Sequence, residues 1–203
     1  SSIPLVTLGT FLLWFGWFGF NGFSQLAMGT FDDVNAISKI AVNTHLAGAA
    51  GTVAAAVVTR LLGGKTDIVM MLNGALAGLV AITAEPLTPS PVLAIVIGAI
   101  GSLIMYFGTK FLESKKIDDV VGAIPVHMFA GIFGTLVVPL SNSGTNFGTQ
   151  LTGVIAVCVF SFVLSYITFK VLKQTIGLRI SSQAEKLGTD VAEVGVKDYA
   201  IRD

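Results

Sequence analysis

Two histidines and one dense run of aromatics are the side chains here with chemistry to offer, and all lie in stretches that are otherwise apolar. His127 falls within Val120 to Phe169, fifty residues without Asp, Glu, Lys or Arg. Placed about eight residues into a predicted helix, it sits roughly 12 Å along an axis rising 1.5 Å per residue, and so within hydrocarbon. An ionisable group at that depth is a functional candidate by default, the alternative being a core histidine bonded to a carbonyl. His45, in Asn43-Thr44-His45 near the outer end of another apolar run, reads as a helix-packing group making a hydrogen bond. Trp14-Phe15-Gly16-Trp17-Phe18-Gly19-Phe20-Asn21-Gly22-Phe23-Ser24 is denser than an interfacial belt requires. Ring faces attract a cation and a hydroxyl accepts its hydrogen bond, so the run suits a small cage for a cation.

Other chemistries are absent from the pattern. No nucleophile–base set, phosphate loop or metal-ligand cluster occurs, which argues against an enzyme and implies neither cofactor nor metal. Net charge is zero and no basic block interrupts the apolar region, which argues against a nucleic-acid partner. The single cysteine, Cys158, lies in an apolar run and reads as packing.

The elements that must hold these groups follow from charge and hydropathy. Of 203 residues, 53% are hydrophobic and 12% charged, with mean hydropathy +0.82, so lipid is the expected solvent. Charge-free stretches run over 1–31, 40–59, 68–84, 86–109 and 120–169, and a span needs roughly 20 apolar residues. The last stretch is divided by the polar turn cluster Ser141-Asn142-Ser143-Gly144-Thr145-Asn146. An all-α membrane protein with six transmembrane helices results, predicted at Pro4–Leu26, Ile37–Arg60, Ile68–Ala84, Pro91–Leu112, Asp119–Leu140 and Gly148–Lys173. Small residues such as Ala47-Gly48-Ala49-Ala50-Gly51 and Gly74-Ala75-Leu76-Ala77-Gly78 are read as close helix packing. Eleven of the twelve basic residues, from Arg60 and Lys65 to the tail residues Lys197 and Arg202, fall on one face, with only Lys39 opposite. By the positive-inside rule both termini are cytosolic. The chain opens at Ser1 rather than Met and enters a span at Pro4, so an upstream piece is expected.

Five collinear pieces carry a family likeness. Leu8-Gly9-Thr10 through Trp17-Phe18-Gly19-Phe20-Asn21, Asn43-Thr44, Asn73-Gly74-Ala75-Leu76-Ala77-Gly78-Leu79-Val80, Asp118-Asp119 with Val126-His127 and Ala130-Gly131-Ile132, and Gly177-Leu178-Arg179 together resemble the Amt/Mep/Rh ammonium transporters. The resemblance implies helices six to eleven of an eleven-helix fold: the second of two inverted repeats plus a final long helix. It implies that Trp17 and Ser24 recruit ammonium, that Phe20 is the inner of two gating rings, and that His127 is one of a histidine pair in a dry conduction path relaying a proton beside ammonia. Asp119 matches an acidic residue opening the tenth helix, where an N-terminal helix charge is the alternative role.

The same resemblance implies a transmembrane domain over 1–175 and a cytosolic regulatory tail over 176–203, whose Gly177, Leu178 and Arg179 dock under a neighbouring subunit. Implied partners are ammonium, ammonia and methylammonium, the bilayer, a homotrimer, a separate amino-terminal half and the PII signalling protein. The implied location is the plasma membrane, or the inner membrane of a bacterium. Met128, Phe23, Gly122 and Glu85-Pro86 depart from the family pattern. Beside transport stand two other readings, an ammonium sensor and a non-conducting regulatory half.

Overall fold

Each helix boundary can be traced to a few side chains. The computed structural model describes residues 2–197, so Ser1, Asp198 and Arg202 lie outside the described residues. Helix α1, Ile3–Phe23, carries Pro4 in its first turn, where an unpaired backbone N–H is expected in any case. Helix α2, Phe31–Gly63, opens on a capping box: the Thr30 hydroxyl accepts from the Asp33 N–H at 3.2 Å, and the Asp33 carboxylate accepts from the Thr30 N–H at 3.0 Å. It therefore begins six residues before the predicted Ile37, taking Asp32 and Asp33 into the helix. At 33 residues it is roughly 50 Å long, well beyond a hydrocarbon core of about 30 Å.

Helix α3, Ile68–Thr83, is capped by the Asp67 carboxylate accepting from Met70 N–H at 3.1 Å, and α4, Pro91–Ser114, by the Ser90 hydroxyl accepting from Leu93 N–H at 3.2 Å. Helix α5, Ile124–Leu140, starts with a wide π-turn over Ile124–Phe129, continues as α-helix over Ala130–Val137, and tightens over Val138–Leu140. The helix thus starts five residues after the expected Asp119. The 119–122 stretch is a turn, with Gly122 at φ +75, a region where glycine carries no steric penalty. Helix α6 runs Phe147–Thr175. Four of these helices are long and apolar enough to cross a membrane alone; α3 and α5 are shorter.

Helices α2, α3 and α4 pack into one another through small residues. A Cβ on Gly51 would strike the Gly74 carbonyl oxygen, and one on Gly74 would lie 2.7 Å from the Gly51 carbonyl oxygen. Only glycine at both positions lets the backbones approach so closely, and Ser102 uses the approach to donate to Gly51 O at 2.7 Å. The small-residue runs therefore do the packing expected of them. Around this contact lie two apolar cores, one of Ala47, Ala81, Ile82, Ala94 and Ile97, the other of Ala77, Met105, Val126 and Ala130.

The loop between α3 and α4 is fastened by side chains. Asn43 donates its amide to the Pro86 and Pro89 carbonyls, both at 2.9 Å. Glu85 accepts from the Leu87 and Thr88 N–H groups through one oxygen and from the Asn142 amide at 2.7 Å through the other.

The chain divides into two compact units, one ending at Val154 and the other beginning at Ile155. The second carries the rest of α6, then α7 over Ser182–Leu187 and a π-turn over Asp190–Val194. Helix α7 is capped by the Ser181 hydroxyl, which accepts from Ala184 N–H at 3.1 Å.

Candidate functional site

Trp17, Phe20 and Ser24 fall at i, i+3 and i+7 of α1 and its C-cap, and so on one side of the helix. The Trp17 and Phe20 rings are 6.2 Å apart and tilted by 56°. Phe20 is 65% exposed, and Ser24 is exposed as well. The Ser24 hydroxyl donates to the Phe20 carbonyl at 2.8 Å, which commits its proton and leaves its lone pairs to accept from a cation. The Trp17 indole N–H is also committed, donating to Thr83 Oγ1 on α3 at 2.6 Å, while the Thr83 hydroxyl donates onward to Leu79 O at 2.6 Å. What Trp17 can offer a ligand is therefore a ring face.

Just below Phe20 the amide of Asn21, 1% exposed, donates to the hydroxyl oxygen of Thr44, 0% exposed, at 2.9 Å. This bond ties α1 to α2 immediately beside the exposed ring. His45 is exposed and makes ring contacts, at 5.5 Å to Trp14 and 6.2 Å to Phe18, the latter stacked, and among the described residues the hydrogen bond expected of it is not found.

His127 is the fourth residue of α5 and stands in its π-turn, rather than eight residues along the helix. The correction follows from the turn at 119–122, which delays the helix. Pro125 and Val126 are buried while His127 and Met128 are exposed, Met128 to 49%. The turn is seated on α4, where a Cβ added to Gly108 would meet the Phe129 ring and lie 3.2 Å from Pro125 Cβ. Among the described residues no hydrogen bond to the His127 ring is present.

Asp119 precedes α5 and serves its N-terminus, accepting from Ala123 N–H at 2.9 Å and Ile124 N–H at 2.8 Å. Both bonds satisfy N–H groups that the first turn of a helix would otherwise leave without partners. In the tail, Gly177 at φ +82 closes α6 by donating to Leu172 O at 2.9 Å. Arg179 donates to Glu185 at 2.6 Å, and that bond and the carboxylate charge hold the guanidinium above its already high ordinary value.

The structure therefore gathers Trp17, Phe20 and Ser24 on one helix and sets His127 on another, with α3 packed against both α1 and α5. Thr83 and Gly108 escaped the sequence reading, and Thr44 entered it only within the Asn43-Thr44 piece, with no role given. Their only signals were a hydroxyl or a glycine inside an apolar span, which many positions share.

The model of the Ammonium Transporter Family matches residues 1–199. The chain is 40% identical over 218 aligned positions to ammonium transporter Amt2 of Archaeoglobus fulgidus, covering 98% of this chain and 46% of that protein. It is 39% identical to a putative ammonium transporter of Synechocystis, covering 95% and 37%. Among solved structures it superposes on one described as a sensor Amt protein with TM-score 0.87 and 38% identity, covering 95% and 49%. It also superposes on Mep2 of Candida albicans with TM-score 0.82 and 28% identity, covering 96% and 47%. The chain thus spans about half the length of the relatives it matches.

Proposed function

Because this chain belongs to the ammonium transporter family, whose members are multi-pass membrane proteins, we propose that it supplies one half of a pore for ammonium, the other half coming from amino-terminal helices. One observation carries this reading: Phe20, Ser24 and His127, three of the groups the family likeness singles out, are exposed on or at the end of apolar helices. Exposed polar and aromatic groups of this kind call for a facing surface that completes them.

In this proposal an ammonium ion is held at the outer mouth by the Trp17 ring face and the free lone pairs of Ser24. The Phe20 ring closes the path behind it. Beyond the ring the ion would lose its hydration, a cost that disfavours any cation unable to shed its charge, potassium included. Ammonium can do so by giving up a proton. Ammonia then crosses the apolar stretch, while the proton passes by way of the His127 imidazole and a second imidazole, each ring accepting at one nitrogen and donating at the other. The two recombine at the cytosolic end near Asp119. The positive-inside rule supports the choice of sides: eleven of the twelve basic residues fall on one predicted face, which favours a cytosolic location for both termini of this segment. A homotrimer in the plasma membrane, with the tail at 176–203 meeting a neighbouring subunit or a PII-type regulator, completes the proposal.

The test is current on solid-supported membranes. A complete transporter with this sequence should give ammonium-evoked current that His127→Ala abolishes or turns into a potassium leak. Undiminished, ammonium-selective current in that variant would overturn the assignment. Residues 1–203 alone should take up no methylammonium until an amino-terminal half is supplied. A second reading, sensing without transport, draws on the likeness to a protein described as a sensor. It predicts ammonium binding with no current at all.

A further inference from the structure

The turn that leads into α5 is held from a third helix. Asn73, in the second turn of α3, donates its side-chain amide to the carbonyl of Val121 at 3.1 Å. The next residue, Gly122, is buried at φ +75, and a Cβ there would lie 2.7 Å from the same Asn73 nitrogen. The Gly122 carbonyl in turn accepts from Val126 N–H at 3.2 Å, the residue before His127. Asn73, Val121, Gly122, Val126 and His127 thus form one continuous connection from α3 to the imidazole.

We propose that Asn73 is a positioning residue for His127, fixing the direction in which the imidazole leaves α5. The geometry makes the reason plain. A π-turn is wider than an α-turn, with a looser hydrogen-bond pattern, and is found chiefly where surrounding contacts hold it. Here the contacts come from two sides. Phe129 and Pro125 rest in the Gly108 notch of α4, which fixes where the turn sits across the bundle. That contact lies within the turn and is made by Pro125 and Phe129, not by Val121 or Gly122 ahead of it. The Asp119 carboxylate caps the first N–H groups but belongs to the same short segment, so it travels with the turn. Asn73 alone among these reaches from another helix to the segment that precedes the turn. Without the amide, Val121 and Gly122 can rotate as a unit, because a glycine at positive φ resists neither direction. His127, five residues on, would swing with them.

The consequence for transport rests on the reading of His127 as a proton relay. An imidazole must meet its partner within hydrogen-bond distance, and a displacement on the order of 1 Å at such a step lowers rates by up to about a hundredfold. Asn73 therefore influences how much charge accompanies each ammonia without touching either.

Two measurements in a complete transporter of this sequence test the inference. The first is independent of transport: in a Cys158→Ser background, His127→Cys is labelled with a water-soluble methanethiosulfonate, with and without Asn73→Ala. The labelling rate should change by about threefold or more when the amide is removed, since thiol reactivity follows exposure and surroundings. The second is the charge moved per methylammonium taken up, across pH 6 to 8. Asn73→Ala and the isosteric Asn73→Asp, which lacks the donor, should each lower that ratio or shift its pH dependence while protein yield and melting temperature hold. Unchanged labelling would overturn the proposal, and so would a loss of current merely in proportion to protein in the membrane. Changed labelling in a protein that passes no ammonium current would keep Asn73 as a positioning residue and remove the transport reading instead.

Discussion

Trp17 donates its indole N–H to the Thr83 hydroxyl at 2.6 Å, joining α1 to the last residue of α3. Asn73, ten residues earlier and roughly 15 Å away along the same helix axis, grips the turn before α5. One short helix thus steadies the proposed outer site at one end and the proposed relay at the other. Trp17→Phe keeps an aromatic face and loses this bond. It should lower stability by about 1 kcal/mol, the net worth of one such hydrogen bond. Ammonium half-saturation should stay nearly unchanged in that variant and rise in Trp17→Leu, where the cation loses its ring, by about tenfold. Melting in detergent and concentration-dependent currents separate the two effects.

Phe20 is fixed from below by the buried Asn21–Thr44 bond. Phe20→Ala should admit larger or hydrated cations, read as potassium current beside ammonium current. Thr44→Val should act on folding instead, by about 1–3 kcal/mol, because it leaves the Asn21 amide buried without its acceptor. A Thr44→Val protein with wild-type melting would contradict the closed packing around that pair.

Gly51 and Gly74 meet backbone to backbone. Gly51→Val should separate α2 from α3, break the Ser102 bond, and cost about 1–3 kcal/mol or more through overpacking. Reduced yield of folded protein on gel filtration is the expected outcome, and Gly9→Ala, where nothing lies within 4 Å, is the neutral control.

The Arg179–Glu185 pair should respond to salt and hardly to alkaline pH. Glu185 raises the guanidinium above its ordinary value, so the stabilisation is fully present below the unfolded value and is lost only as pH climbs through the higher folded one. That window lies beyond the working range. Both partners are largely exposed, so moderate salt should loosen the pair. Proteolysis of the tail should accelerate with added sodium chloride and stay level between pH 7 and 9.

How much of this was legible beforehand depends on the kind of interaction. Helices α1, α3, α4 and α6 fall within a few residues of the predicted spans, because lipid-facing segments must exclude charge. The start of α2 was hidden by that same rule. Asp32 and Asp33 looked like loop residues, while Thr30 and Asp33 in fact build the cap. The start of α5 was hidden because Asp119 reaches forward to cap a helix it does not belong to, and the partner of its turn, Asn73, lies 48 positions from Val121. Hydrogen bonds across such separations leave no local pattern. Trp17, Phe20 and Ser24 were singled out through the family likeness, after a dense aromatic run had drawn attention to that segment; the helix then sets them at i, i+3 and i+7, on one side.

The π-turn at the head of α5 has a consequence for how this helix tolerates change in length. Within it, Pro125 and Phe129 are seated on Gly108 of α4; beyond it, Gly134 lies against the backbone of Ala81 on α3. A regular α-helix advances about 100° per residue. The wide turn absorbs a mismatch in phase, so that both faces find their own neighbour. Deleting a single residue such as Met128 would be expected to iron the turn into ordinary helix and leave one of the two contacts rotated out of place by roughly that angle. In this stretch a one-residue deletion should therefore do more harm than most substitutions, and an insertion on the far side of Ala130 would need a second wide turn to undo it.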